Sequence, residues 1–180
     1  MISVYQLTIL FLLLLPGWVG ATNISPDLKR LGQGKVYFMS FIKVYDASLY
    51  SSELADTQGI LSGDVSKCLH LEYMVDIEKS DFVKAANAVL SRQFTQEQLA
   101  GISNDIDTLH QGYRDVQDGD TYTLCYNSAD SITTLSYNGG VLVSIGSPGF
   151  SEVYFSIWLG QNQPLDETLR NDLLAGLMNN

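Results

Sequence analysis

Residues Gly32 to Ser52 read GQGKVYFMSFIKVYDASLYSS. Val36, Tyr37, Phe38, Phe41, Ile42, Val44, Tyr45 and Tyr50 crowd this stretch between two glycines and a polar break, a density of strand-favouring side chains that predicts two consecutive strands, about 34–42 and 43–51. Whatever follows must cover the apolar face that such a hairpin exposes. Before it, Asn23 to Leu31 has mixed polarity and Pro26, which suits a loose arm. After it, Glu53 to Lys67 carries Gly59 and Gly63 with few large apolar residues and reads as a loop with at most one helical turn. A third strand is expected over about 67–76.

From Ser80 the apolar period changes to that of a helix. Phe82, Val83, Ala86, Val89 and Leu90 fall on one face, Ser80 stands as N-cap, and the helix should end near Phe94. Thr95-Gln-Glu-Gln98 is a capping box, and Leu99, Ile102, Ile106, Leu109 and Tyr113 then recur at spacings of 3, 4, 3 and 4, predicting one further amphipathic helix. Strands are expected over 121–127 and 131–137, and Asn138-Gly139-Gly140 is a strong hairpin signal returning the chain through Val141 to Ile145. Phe150, Val153, Tyr154, Ile157 and Trp158 make an apolar stripe that stops at Gly160. A last helix is expected over about 165–177, with Leu165, Leu169 and Leu173 four apart. Three strands, two helices, three strands and two helices make an α+β domain.

Hydrophobic residues are 46% of the 180 and charged residues 17%, enough for a core without dependence on cross-links. Twenty acidic against ten basic side chains give −10, and no basic run exceeds Lys29-Arg30, which argues against nucleic acid or anionic lipid held by charge. The first 21 residues hold no Asp, Glu, Lys or Arg; an apolar run from Leu7 to Leu15 leads to Pro16-Gly17 and then Val19-Gly20-Ala21. That run is too short for the roughly 20 residues a bilayer span needs, so the stretch reads as a signal peptide cleaved near Ala21. The expectation is a periplasmic or secreted domain, residues 22–180, with no stable membrane anchor after cleavage. Asn23-Ile24-Ser25 matches a glycosylation sequon.

Export would put Cys68 and Cys125 in an oxidising compartment. In the strand from Cys68 the apolar set is Leu69, Leu71, Tyr73 and Val75, and in the strand from Thr121 it is Tyr122, Leu124 and Tyr126. Both thiols therefore point to the more polar face. A bridge forms if the two strands are neighbours; otherwise they are two inert half-buried thiols.

Side chains with the chemistry of a catalytic or metal centre are sparse. His70 and Glu72 lie two apart on one strand face, but no second cluster completes a metal site, and His110 is alone on a helix. Gly32-Gln-Gly34 precedes a strand, so it is not a phosphate loop, and nothing resembles a nucleophile elbow. No cofactor is implied. The ten tyrosines say more, in particular Tyr37, Tyr45, Tyr50 and Tyr73 on strands with Lys35 beside them. Apolar walls with one cation at the end would suit an elongated apolar molecule carrying a carboxylate or phenolate. The competing reading is a tyrosine-rich core whose Lys35 reaches out to water.

Lys43-Val-Tyr-Asp-Ala-Ser-Leu-Tyr50 and Phe155-Ser-Ile-Trp-Leu-Gly160, with Gly32-Gln-Gly34, the Gly139-Gly140-Val141 hairpin and Pro164 before a final helix, cover about 150 residues in order. In these pieces the chain resembles the bacterial chalcone isomerase-like proteins, exported single-domain relatives of the plant enzyme. The resemblance implies a large antiparallel sheet with helices packed on one face and a ligand cleft between the layers. It also implies where a cyclase would keep its residues: an arginine near Gln33, a threonine at Tyr45, a tyrosine near Asp76 and an asparagine near Val83, none of which this chain retains. Lys35 is the nearest cation and lacks the planar fork of arginine. Other relatives of this fold bind fatty acids without catalysis. The reading is thus a non-catalytic protein holding a fatty acid or similar small amphipathic ligand with Lys35, Tyr37, Tyr45 and Tyr50; the alternative is an intramolecular lyase acting on a phenolic or enone substrate. The oligomeric state is not legible.

Overall fold

Period-two alternation is what builds the sheet, and it survives in the burial of the strands. The computed structural model describes residues 24–52 and 59–178. The expected signal peptide, the sequon asparagine and the first part of the loop after Ser52 lie outside the described residues. Six strands pair antiparallel in chain order: β1 (Lys29–Phe38), β2 (Ile42–Ser51), β3 (Lys67–Tyr73), β4 (Thr121–Asn127), β5 (Ile132–Tyr137) and β6 (Gly140–Ile145). Tyr45, Ala47 and Leu49 of β2 alternate inward against Leu69, Leu71 and Tyr73 of β3 and Tyr122, Leu124 and Tyr126 of β4. The opposite face is polar, with Asp46, Glu72 and Thr121 in one row and Ser48, His70 and Thr123 in the next; His70 Nδ1 is 2.9 Å from Thr123 Oγ1.

The β5–β6 turn follows its sequence signal, since Asn138 and Gly139 both take positive φ, at 48° and 81°. The other end of the chain differs from expectation. β1 begins at Lys29, so the last three residues of the stretch expected as a loose arm are already in the sheet, and the β1–β2 turn falls at Met39–Phe41. What draws the arm in is the C-terminus. Gly32 faces the backbone of Asp172 and Leu173, where any Cβ would collide, and a Cβ on Gly34 would stand 2.7 Å from Leu169 Cδ1. The Gly-Gln-Gly sequence is therefore a seat for the last helices.

Helix α1 (Lys79–Gln93) buries Ala86, Val89 and Leu90. Its expected cap, Ser80, is already inside it; the N-cap is Glu78, and the Lys79 amide is taken by the Asp115 carboxylate at 2.8 Å. The Thr95–Gln98 capping box forms, but the helix it starts is two: α2 (Gln96–Ala100) and α3 (Ser103–Gly112). Ile102, at φ −127°, donates back to Leu99 and breaks the ladder while the apolar period continues across the break. The last expected helix is likewise divided into α5 (Glu167–Leu173) and α6 (Ala175–Met178).

Between them lies α4 (Pro148–Leu159), begun by Pro148 and ended by Gly160. Where a stripe was expected, burial runs right round its second half: Tyr154, Phe155, Ser156, Ile157, Trp158 and Leu159 are all inside, as are Phe150 and Ser151 before them, while Glu152 is exposed. Its polar atoms are matched from neighbouring helices. The Ser156 hydroxyl donates to Gln93 Oε1 at 2.6 Å, Gln93 Nε2 donates to the Ser156 carbonyl at 2.9 Å, and Arg170 Nε donates to the Leu159 carbonyl at 3.0 Å.

Lys67 shares the inward face of β3 and is fully buried. Its ammonium donates to the Ser62 and Val65 carbonyls at 2.9 and 3.0 Å and lies 4.7 Å from the centroid of the Tyr126 ring. A buried charge needs such partners. Burial pulls its pKa down to about 8, with Glu152 opposing.

Cys68 and Cys125 stand directly opposite in the β3–β4 register and are disulfide-bonded. They are 57 residues apart in sequence, and by the loop-entropy relation a link closing that length stabilises by about 4 kcal/mol, through the unfolded chain. The double variant Cys68→Ser/Cys125→Ser should lose most of that in urea unfolding and keep the native circular dichroism; an unchanged midpoint would show that the link contributes nothing.

Candidate functional site

Between the inward face of β2–β4 and the helices lies a cavity of about 820 Å³, a size that suits a small ligand. The sheet supplies Tyr45, Leu71, Tyr73 and Leu124; α1 supplies Phe82 and Ala86; α4 closes one end with Ile157 and Trp158. Tyr73 is the hub of the wall. Its ring centroid is 5.6 Å from that of Tyr45, 5.5 Å from Phe82 and 6.0 Å from Tyr122, all edge-on, the arrangement that aromatic quadrupoles favour. Phe82 in turn stacks on Tyr113 at 5.4 Å.

The mouth opens between the β1–β2 turn, the segment after β3 and the approach to α5. Tyr37, Phe38 and Ile42 line it from the turn and are largely exposed, Phe38 at 60%. Asp76, Asp81 and Asp166 complete the rim. Asp81 pairs with Lys84 at 2.9 Å and Asp166 caps α5 through the Leu169 amide at 2.8 Å. Among the described residues no Lys, Arg or His lines the cavity.

Of the residues expected to hold a ligand, Tyr37 and Tyr45 line the cavity and Lys35 and Tyr50 do not. Tyr50 lies opposite Cys68 on the polar face. Lys35 is exposed and stands opposite Asp46, again on the polar face. The reason is a register shift between Val36 and Tyr37. Simple alternation would put Lys35 and Tyr37 on one face, but the irregularity turns the strand after Val36, so that Val36, Tyr37 and Phe38 all reach the cavity. Of the four positions that the cyclase pattern points to, Tyr45 and Asp76 line the cavity and Gln33 and Val83 do not. Phe82, Ala86 and Tyr113 were legible only as core faces of helices and Tyr122 only as the apolar side of a strand, while Asp166 carried no sequence signal, since it meets the site only through the fold.

Most hydroxyls around the cavity are engaged. Tyr122 donates to the Arg114 carbonyl and accepts from the Arg114 amide, at 3.0 and 2.7 Å, and the Tyr113 hydroxyl is 2.8 Å from that of Tyr154, which is 3.1 Å from His110 Nε2. Tyr45 accepts a long bond, 3.4 Å, from Trp158 Nε1. The hydroxyl of Tyr73, a residue only 3% exposed, has no hydrogen-bond partner among the described residues. Burial holds Tyr45, Tyr73, Tyr113 and Tyr154 protonated well above the ordinary phenol range and pushes Tyr122 up to about 12. Burial also lowers the pKa of His110, opposed by Asp107. At neutral pH the wall is uncharged and can donate or accept hydrogen bonds.

The family described as chalcone isomerase-like matches residues 16–175. The chain belongs to the chalcone isomerase-like family. No curated protein matches it by sequence. Among solved structures it is similar to a fatty-acid binding protein of Arabidopsis thaliana, with TM-score 0.67 and 14% identity, over 87% of this chain and 91% of that one. At that identity the likeness shows a shared fold: the chalcone isomerase-like arrangement of a six-stranded antiparallel sheet with helices.

The buried phenols set an alkaline limit. Their folded pKa values lie above the unfolded value of 10.0, so the stability they carry is full below that pH and is lost as the pH rises through it. Lys67, pulled down to about 8 from 10.5, acts in the opposite sense and adds stability as the pH rises between those values. The melting temperature should rise between about pH 8 and 10 and then fall, with most of the phenolate absorbance appearing together with unfolding. Ionisation of most of the phenols in a still-folded protein would contradict the burial of these hydroxyls.

Proposed function

We propose that the protein is a binding module that holds a small apolar or amphipathic molecule, of the size of an acyl chain, between sheet and helices. The cavity carries this reading, with its aromatic and aliphatic wall and its polar groups confined to a few hydroxyls and the rim. The plant relative's description as a fatty-acid binding protein supports it. The lyase alternative needs a cation to hold a phenolate, and Lys35 lies on the far face of the sheet. Tyr37 and Tyr45 keep their proposed part as contacts; Lys35 and Tyr50 have none in this reading.

Native mass spectrometry of the purified protein after exposure to fatty acids and their esters tests it. Wild type should retain one bound molecule. Ala86→Phe, which puts a ring into the cavity from α1, should bind at least about tenfold more weakly while melting within a few degrees of wild type. Absence of any apolar ligand from wild type would refute the reading.

We further propose export to the periplasm or secretion, on the leader composition alone. Expressed in a secreting host, the recovered protein should have the mass of residues 22–180; recovery of the intact 180-residue chain in the cytoplasm would refute it.

A further inference from the structure

The charge around the cavity does not match the head of a fatty acid. Three carboxylates, Asp76, Asp81 and Asp166, line it, and no cationic side chain among the described residues does. The nearby ammonium groups are already engaged: Lys84 with Asp81 at 2.9 Å, and Lys43, which stands opposite Tyr37 in the sheet, with Asp46 at 2.7 Å. A ligand carboxylate entering this mouth would lose hydration, meet like charge and find no counter-ion.

The interior offers a different contact. Tyr73 is 97% buried, lines the cavity, and has a hydroxyl with no acceptor among the described residues. Tyr45, whose ring lies 5.6 Å away, accepts from Trp158 but has no acceptor for its own proton there. Two phenol donors in an apolar wall suit an uncharged oxygen acceptor that arrives with little hydration to lose.

We propose that the cavity selects an uncharged, carbonyl-bearing amphiphile, such as a long-chain ester, aldehyde or ketone, over the carboxylate of the same chain, with the carbonyl oxygen accepting from the Tyr73 hydroxyl beside Tyr45. This rests on the binding reading above and narrows its ligand class. The rim acids exclude the anion, and the interior phenols orient the neutral head.

The two can be tested apart by competition against diphenylhexatriene, a hydrocarbon fluorophore with no polar group. At pH 8, methyl dodecanoate should displace it at a concentration at least about tenfold lower than dodecanoate, both below their critical micelle concentrations. Lowering the pH toward the ordinary carboxylic-acid range should close that gap by neutralising the acid. Tyr73→Phe should weaken the ester about fivefold, the worth of one hydrogen bond, and leave affinity for the fluorophore itself within twofold. Asp76→Asn/Asp81→Asn, both exposed, should narrow the gap by strengthening dodecanoate alone. Equal competition by dodecanoate and its ester at pH 8 would overturn the charge selection and leave the binding reading standing. Loss of fluorophore and ester binding together in Tyr73→Phe would assign the tyrosine to packing and overturn the carbonyl contact. No uptake of the fluorophore by wild type, and no competition by any of these compounds, would overturn the binding reading itself.

Discussion

A helix whose last six residues are all buried cannot be placed last. α4 has aromatic residues facing the sheet and serines facing other helices, and its burial sets where everything else must lie. The strands must offer it a wide apolar face, α1 must come alongside with Gln93 to meet the Ser156 hydroxyl and carbonyl, and α5 must bring Arg170 to its last carbonyls. Those hydrogen bonds are needed because unmatched polar atoms in such a place each cost about 1–3 kcal/mol. With α4 fixed at one end of the sheet's inner face, the stretch of face beyond Trp158 is covered by α1 with Tyr113 and the approach to α5. That is where the cavity lies.

The strands and most turns were legible because their signals are local. Alternation through KVYDASLY and the Asn138-Gly139 turn depend only on neighbours in sequence, as do the Thr95–Gln98 capping box and the stop at Gly160. The breaks at Ile102 and Leu174 were not, since apolar spacing continues through a break that costs only one turn of hydrogen bonds. The faces of the two cysteines followed from counting by two, whereas Lys35 did not, because a single irregularity after Val36 intervenes between it and Tyr37. Lys67 was read as the edge of a strand; its burial depends on carbonyls of the preceding turn, which no periodicity encodes. The site was half legible for the same reason. Most of its tyrosines are strand residues, but Tyr113, the acids and Trp158 reach it from helices and connecting segments.

The electrostatics of the cavity follow from this division. The sheet places phenols inside, where burial keeps them neutral, and the loops place carboxylates at the rim, where water keeps them charged. Lys67, buried on the inner face, is committed to backbone carbonyls and aromatic rings. The protein's overall charge of −10 extends the sign of the rim over the whole molecule.

Strand order equals chain order throughout the sheet, so each strand meets a partner that is also its neighbour in sequence. The β3–β4 pair is set apart because α1, α2 and α3 intervene between its strands, which makes it the slow, non-local step in assembling the sheet. It is also the pair in which a slip would be easiest to make and hardest to undo. Cys68 and Cys125 are directly opposite across it. A slip of one residue would turn them to different faces, and a slip of two would carry them out of bonding range. A bridge between the two thiols therefore fits only the correctly registered sheet, and while it holds it keeps the two strands in that register.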